Sequence, residues 1–534
     1  MKILFYYLLI ILFFTGCTHT PEQQQASGIV FHDLNENGLH DSGEPGISGV
    51  AVSNGYDVVL TDQHGRYSLG LDDDAIIFVI KPGNFNYPVN EFNLPQFYYI
   101  HKPAGSPELK YPGVEPTGSF PESVDFPLLT GSNSEEFSIL VFSDPQPYAL
   151  EEINYYDLDI VEELVGNTQH AFGITLGDLV GDKLEFFEPL NRATSRIGLP
   201  WFHALGNHDM NFDATAQYHN DETFERIYGP STYAFNHGKV HFIVLHNVIY
   251  PNTYTNWTYT GGLTDNQFTF IENSLKHVPE DHLVVLCMHI PLYIVEEWGE
   301  TFLNNHRIRL FEILKNRPYT FSMSGHMHTQ QHYYFTEKHG WLQEAPHHHY
   351  TVGTAGGDWW SGELKGNGVP DATMYDGTPN GYNIIRFSGN KYEYDYKAAG
   401  RPDDYKMRIY GPKVVPLNRH FRGELYVNFF QGSEKDTVEF NVNGGEWKPM
   451  RYSVEHDPHV SAMRYRWDHA EVLPEGTRPS NPVDCHHLWK ARVPTKVELG
   501  ENVITVRVKD KLGRVFESAL NFEAVETDKR SENL

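Results

Sequence analysis

The residues best suited to chemistry stand at the ends of apolar runs. In chain order they are Asp144 and Gln146 in SDPQ, Asp178 in LGDLVGD, Asn207 and His208 in LGNHD, His289 in MHIP, and His326 and His328 in SGHMH. Carboxylate, amide and imidazole side chains form the oxygen and nitrogen donor set that divalent cations take up. Each motif alone is weak. A histidine at a strand end is usually a hydrogen-bonded structural residue, and GD or GN pairs are ordinary turn chemistry. All of them in order, each behind an apolar strand, point to a metal centre assembled from several loops.

Such a centre needs strands that end together. Over residues 136–400 the apolar runs FSILVFSD, AFGITLGD, PWFHALGN, HFIVLHN, HLVVLCMH and YTFSMSGH alternate with helical segments such as INYYDLDIVEELVGN and RIRLFEILKN. A third helix, TDNQFTFIENSLKHV, opens with Thr264 and Gln267 in capping-box spacing. The pattern is that of an α/β domain with its polar motifs at strand ends. Residues 27–130 show short alternating stretches between Gly, Asn and Asp turns, and then a proline-rich connector from Lys102 to Pro127. They read as an N-terminal β-domain. Alternation returns over 402–528 in ELYVNFF, TVEFNVNG and NVITVRVKDKLGRVFESALNF, a second β-sandwich.

The intact GD, GNHD and GHMH motifs resemble those of the calcineurin-like metallophosphoesterases, and the likeness spans roughly Glu136 to Gly400. The whole layout is similar to the three-part bacterial envelope form of that family. The resemblance implies a four-layer α-β-β-α sandwich of two mixed sheets, flanked by an N-terminal prealbumin-like β-sandwich and a C-terminal one. It also implies two divalent metals. Asp144, Gln146 and His328 would hold the first, Asn207, His289 and His326 the second, with Asp178 shared. His208 would stabilise developing charge or protonate the leaving oxygen, and Asp209 would orient His208 or support its loop. Asp182 reads as a loop brace. A phosphate ester is anionic and repels hydroxide, so a pair of cations about 3.5–4 Å apart serves to neutralise it and to clamp attacking and leaving oxygens. The expected reaction is in-line attack of metal-bound hydroxide on a small-molecule phosphate ester. Export and an aromatic loop tilt the expectation toward diesters or nucleotide-like substrates. A phosphomonoesterase uses the same clamp. A non-catalytic envelope binding protein with a degenerate scaffold is a further alternative, against which the intact GNHD speaks.

Gln146 stands where most of that family place a histidine. An amide oxygen is a harder, weaker donor than imidazole, so the first site should prefer manganese, iron or magnesium over zinc. Pro145 and Pro147 restrict the backbone on either side. Further along, Trp359 and Trp360 in GGDWW offer rings to stack on a base or sugar, and otherwise would cover a sheet edge or dock the C-terminal domain. His348 in HHHY reads as surface or substrate contact, with a third metal site as the alternative.

Bulk properties bound the remaining choices. With 534 residues, 40% hydrophobic and 14% aromatic, the chain has folded domains throughout. A net charge of −29 argues against nucleic-acid duplexes as partners. Lys2, the run ILFYYLLIILFF and FTGC resemble a lipoprotein signal peptide over residues 1–16, with Cys17 as the lipidated residue. The expected location is the cell envelope, held to the membrane by the lipid. Downstream, the stretch GIVFHDLNENGLHDSGEPGISGVAV followed by TDQHGRY resembles the prealbumin-like repeats of bacterial surface proteins. Within it, Asp33, Asn35, Asn37, Asp41 and Glu44 have calcium-loop spacing around Gly38. A calcium site and a self-bonded Asx-rich turn are the two readings.

Overall fold

A computed structural model describes residues 24–293 and 302–527; the expected signal peptide and Cys17 lie outside the described residues. Among the described residues no helix is long and apolar enough to cross a membrane.

Two sheets face one another at the centre. The first runs in the order Trp201–Ala204, Phe172–Leu176, Glu136–Phe142, Gly381–Ser388 and Lys391–Ala398. Its first three strands are parallel, and the last two are added antiparallel. The second runs Tyr233–His237, Val240–Leu245, Leu283–Met288, Thr320–Ser324, His347–Thr351 and Gln331–Phe335, with parallel strands between antiparallel edges.

Side-chain alternation explains the layering. Ile139 and Val141 point into the core between the sheets, while Leu140 and Phe142 join a separate cluster beneath the helices. A strand covered on both faces must be apolar at every position, which is why these runs read as continuous. Aromatic rings fill the space between the sheets. Phe202 stacks on Phe235 with centroids 4.1 Å apart, and Phe172 meets Phe242 edge-on at 5.4 Å. Burying such side chains is worth roughly 1.5–3 kcal/mol each.

The outer helices follow local chemistry. Thr264 caps Asp265–Leu275: its hydroxyl accepts from the Gln267 amide at 3.3 Å, and Gln267 Oε1 accepts from the Thr264 amide at 2.8 Å. Asn304–Leu314 lays Leu310, Phe311 and Leu314 toward the second sheet. The helix expected at INYYDLDIVEELVGN is irregular: Leu150–Tyr156 passes into a π-turn at Asp157–Val161 and a 3-10 turn at Glu162–Leu164.

Each flanking domain is a pair of small sheets. Between Gln25 and Thr130 lie two four-stranded sheets around Val30, Val52 and Ile77. Here the loop of acidic and amide residues closes on itself. Asp33 accepts from the Asn37 and Gly38 amides, Glu44 from those of Leu34 and Asp41, and Asp41 from the side-chain amides of Asn35 and Asn37. Beyond Met407 a four-stranded and a five-stranded sheet enclose Val427, Phe440, Trp489 and Val506. This C-terminal unit is tied to the central one through buried His487, whose Nε2 lies 3.1 Å from Asp376 Oδ2.

Candidate metal centre

The parallel strands of both sheets end at one edge, and the sequence motifs meet there. Six of these residues have left-handed backbones: Asp144, Gln146, Asp178, Asp182, His326 and His328 have φ between 40° and 74°. Non-glycine residues adopt this region at a cost of order 1–3 kcal/mol, a strain that clusters at functional sites. It turns the side chains sharply off the strand ends and toward each other. The motif glycines leave the room. A Cβ on Gly325 would lie 1.8 Å from Ser143 Oγ and 2.5 Å from Asp144 Oδ2, and one on Gly177 would strike the His289 ring.

Two groups of donors result. In the first, His328 Nε2 faces Gln146 Oε1 at 2.9 Å and Asp144 Oδ1 at 3.6 Å. Gln146 is buried, and its Nε2 donates to Tyr148 Oη at 3.2 Å, which turns the amide oxygen inward. In the second, His289 Nε2 lies 3.0 Å from Asn207 Oδ1, 3.2 Å from Asp178 Oδ1 and 3.2 Å from His326 Nδ1.

Backbone carbonyls set the tautomers. Leu176 O takes a hydrogen bond from His289 Nδ1, and Gly357 O takes one from His328 Nδ1. A carbonyl only accepts, so each Nδ1 carries the proton and each Nε2 presents a lone pair to the centre. Lone pairs of imidazole, amide oxygen and carboxylate then face one another in a largely buried site. A cation, or a proton, must lie among them. A proton on His289 would answer one such contact; burial opposes it, but Asp178 outweighs burial and carries His289 up to about 9. Divalent cations answer all of them, and the donor set fits two. Among the described residues, ligand atoms of Asp178, His289 and His326 lie within 4.8 Å of one another. Burial would raise Asp178, yet His289 and His208 hold it low, so it stays an anion fit to be shared. Burial and the Asp178 charge push Asp144 up to about 7, a shift that bound cations would reverse.

The three family models that match the chain fit this geometry. That of calcineurin-like phosphoesterases matches residues 137–330, and those of the family's N-terminal and C-terminal parts match 34–111 and 349–516. The chain is a calcineurin-like phosphoesterase. It carries that family's N- and C-terminal companion domains and is a metal-dependent phosphoric ester hydrolase. Solved structures similar to it include a purple acid phosphatase from seeds of yellow lupin (Lupinus luteus), at 12% identity over 65% of this chain and 67% of that one, with a TM-score of 0.34. A dimetal phosphatase from Danio rerio is 12% identical over 50% of this chain and 97% of its own, with a TM-score of 0.33. No curated protein matches the chain.

Around the ligands the phosphoesterase differs from the sequence reading in several places. His208 is oriented by Asp182, whose Oδ1 lies 2.7 Å from His208 Nδ1. Of the two roles expected of Asp209 it takes the second, supporting its loop by accepting from the amides of Val180 at 3.1 Å and Gly206 at 2.8 Å. The reason is the turn: the Asp209 carboxylate folds back under GNHD, while Asp182, half exposed, reaches over it. Burial pulls His208 down, but Asp178 and Asp182 outweigh burial and carry it up to about 9, so the ring holds a proton at neutral pH. The repeated GD of LGDLVGD was the available signal for Asp182. Trp360 is no substrate platform either; it is buried and donates Nε1–H to Pro145 O at 2.8 Å, bracing the first ligand loop from behind. Trp359 stands at the site, half buried and stacked on the His328 ring at 3.9 Å. His348 is neither surface nor substrate contact. It is buried in a strand, with ring nitrogens 2.9 Å from His332 Nδ1 and 2.8 Å from Tyr392 Oη. Sequence reasoning missed Tyr148 and Tyr259, whose rings lie 5.9 Å from that of His208 and 6.1 Å from that of His326. Tyr148 ends the DPQPY stretch and was within reach; Tyr259 lies in a polar loop with no distinguishing pattern.

Proposed function

We propose that this phosphoesterase hydrolyses phosphodiesters, nucleotide-like ones in particular, on a dinuclear centre that favours manganese, iron or magnesium. One observation carries the substrate reading: Trp359, only partly buried, lies flat against the ligand His328 with an interplanar angle of 24°. Tyr148 and Tyr259 stand beside His208 and His326. An aromatic rim next to a phosphate site suits a planar group attached to the phosphate.

When bound, two divalent cations would neutralise the ester and activate water. Asp144, Gln146 and His328 would hold one, and Asn207, His289 and His326 the other, with Asp178 serving both. The carbonyls of Leu176 and Gly357 hold the proton of each neutral ring on Nδ1, so that Nε2 is the nitrogen offered to a metal. His208, held through Nδ1 by Asp182, presents its Nε2–H to the leaving oxygen and gives up that proton as the ester bond breaks. Asp182 then stabilises the charge history of the ring without itself ligating. The Gln146 amide oxygen supports the metal preference, since it is a harder donor than imidazole.

The test is hydrolysis of bis(p-nitrophenyl) phosphate, a nucleoside phosphodiester and p-nitrophenyl phosphate in manganese. Diesters should be the better substrates, and Trp359→Ala should raise KM for the nucleoside diester by about 5- to 150-fold, the worth of one stacked base. Faster turnover of the monoester, with no effect of Trp359→Ala, would transfer the assignment to a phosphomonoesterase.

We also propose an exported lipoprotein anchored through Cys17. The charged start, short apolar run and FTGC support it. Cys17→Ser should move the protein out of the membrane fraction; retention through detergent-free washing would refute the anchor.

A further inference from the structure

We propose that Tyr148 is a further catalytic residue: its phenol hydroxyl donates a hydrogen bond to a non-bridging oxygen of the phosphoryl group under attack. This role rests on the strand-end cluster being the hydrolytic centre, and is independent of the choice between diester and monoester.

The segment that carries Tyr148 is fixed residue by residue. The Gln146 amide donates to Asp178 O at 3.1 Å, and Pro147 O accepts from the Gly181 amide at 3.0 Å. Tyr148 donates its own backbone N–H to the Glu152 carboxylate, and its carbonyl accepts from Lys183 Nζ at 2.7 Å. The ring lies on the loop that holds Asp178 and Asp182, and a glycine at 181 leaves it room: a Cβ there would come within 2.6 Å of the ring atom Cδ1. The same ring meets that of His208 edge-on, with centroids 5.9 Å apart. A donor anchored in this way needs no reorganisation at the moment of reaction.

Hydrogen bonding at the hydroxyl leaves its proton free. Gln146 keeps Oε1 toward His328, so Nε2 is the atom that faces Tyr148 Oη, and an amide nitrogen only donates. The phenol oxygen therefore accepts there, and its own hydrogen is uncommitted: among the described residues no acceptor is paired with it. After burial, the groups that bear most on this hydroxyl are the carboxylates of Asp178, the residue shared between the metals, and Asp182, the partner of His208. The hydroxyl thus lies one amide away from a ligand oxygen and next to the proton donor. During phosphoryl transfer, charge is spread over the equatorial oxygens of the group, and His208 answers only the leaving oxygen. Tyr148 answers an equatorial one. The phenol keeps its proton throughout, and no bond to it is made or broken.

The experiment compares Tyr148→Phe, which keeps the ring on Gly181 and removes the donor, with the parent in saturating manganese. Substrates are the p-nitrophenyl and phenyl diesters and monoesters, and the parent's own turnover tests the hydrolytic reading separately. On the esters the parent prefers, kcat of the variant should fall about 10²-fold, with metal content by elemental analysis unchanged. The loss should be equal for the good and the poor leaving group, because a non-bridging oxygen is the same in both. His208→Ala, by contrast, should cost more on the phenyl ester. Calorimetric titration of the manganese-loaded protein with inorganic phosphate should show binding about tenfold weaker in Tyr148→Phe. A rate loss that further manganese abolishes, or a lowered metal content, would reduce Tyr148 to a support of Gln146. A loss confined to the phenyl ester would reassign the hydroxyl to the leaving oxygen, and unchanged kcat and phosphate affinity would remove it from the reaction. Any of these results overturns the proposal.

Discussion

Two groups of histidines lie within the same sheet system, and only one of them can do chemistry. His289, His326 and His328 sit just beyond strand ends, the last two on left-handed backbones, with ring nitrogens turned toward carboxylate and amide oxygens. His347, His348 and His349 sit inside a strand, equally buried. Each nitrogen of this second group has a hydroxyl or ring partner: His347 bridges Thr320 and Ser322 at 2.8 Å each, and His349 lies 2.7 Å from Ser322 Oγ and 3.0 Å from Ser324 Oγ. Burial drives this group down, His347 to about 3, so these rings are neutral. Residue type and burial are shared; what separates the groups is whether the lone pairs are already answered. An unanswered lone pair facing another acceptor is a ligand position, and an answered one is structure.

That difference can be attacked from both sides. The largest effect belongs to His208→Ala, which should lower kcat by about 10²–10⁴-fold because a proton donor is lost. Elemental analysis should find its metal content unchanged, and loss of both metals would mean that the ring holds the site together instead. Asp182→Asn leaves the ligands alone and releases only the His208 ring. Its kcat should fall by about 10- to 100-fold, the usual range for a partner behind an active group, and the alkaline limb of the rate profile should move to lower pH as His208 loses its negative neighbour. An unchanged limb would remove Asp182 from the mechanism. Gln146→Ala should weaken metal binding at the first site by about tenfold or more, whereas Gln146→His should keep activity and shift preference toward zinc. If both behave like the parent in stoichiometry and preference, Gln146 is not a ligand.

The smallest effect on rate lies in the other histidine group. His347→Gln should leave kcat at neutral pH unaltered. It should instead change acid stability. With a folded value near 3 against an ordinary 6.5, His347 binds no proton in the native state, while the unfolded chain does so below 6.5. Stability is therefore lost as pH falls from 6.5 toward 3, by up to about 1.4 kcal/mol per pH unit for this group. Denaturation midpoints measured across that window should fall less steeply in the variant. A lost activity with an unaltered slope would contradict the structural role.

Much of the site was legible because its strands are covered on both faces, so each apolar run stops abruptly where a ligand begins. Asp144, Asp178, Asn207, His289, His326 and His328 are all marked in that way. The α/β character of the domain was legible for the same reason, whereas its four layers were implied only by the family resemblance. Less readable was anything that depended on which way a side chain leaves a turn: Asp182 and Asp209 differ in role through a fold-back that no spacing reveals. The same holds for the paired tryptophans, adjacent in sequence yet split between a ring on His328 and a brace under Pro145. HHHY looked like polar surface because its hydroxyl partners, Thr320, Ser322 and Ser324, alternate along a different strand.

The central claim is that the strand-end cluster is a dinuclear metal centre on which the hydrolysis depends. Its most direct test is titration of the metal-free protein with manganese, following bound metal and diester hydrolysis in the same samples. Two equivalents per chain should bind, activity should reach its plateau only with the second, and Asp178→Asn should reduce both. Saturation at one equivalent with full activity, or hydrolysis that survives complete metal removal, would contradict it.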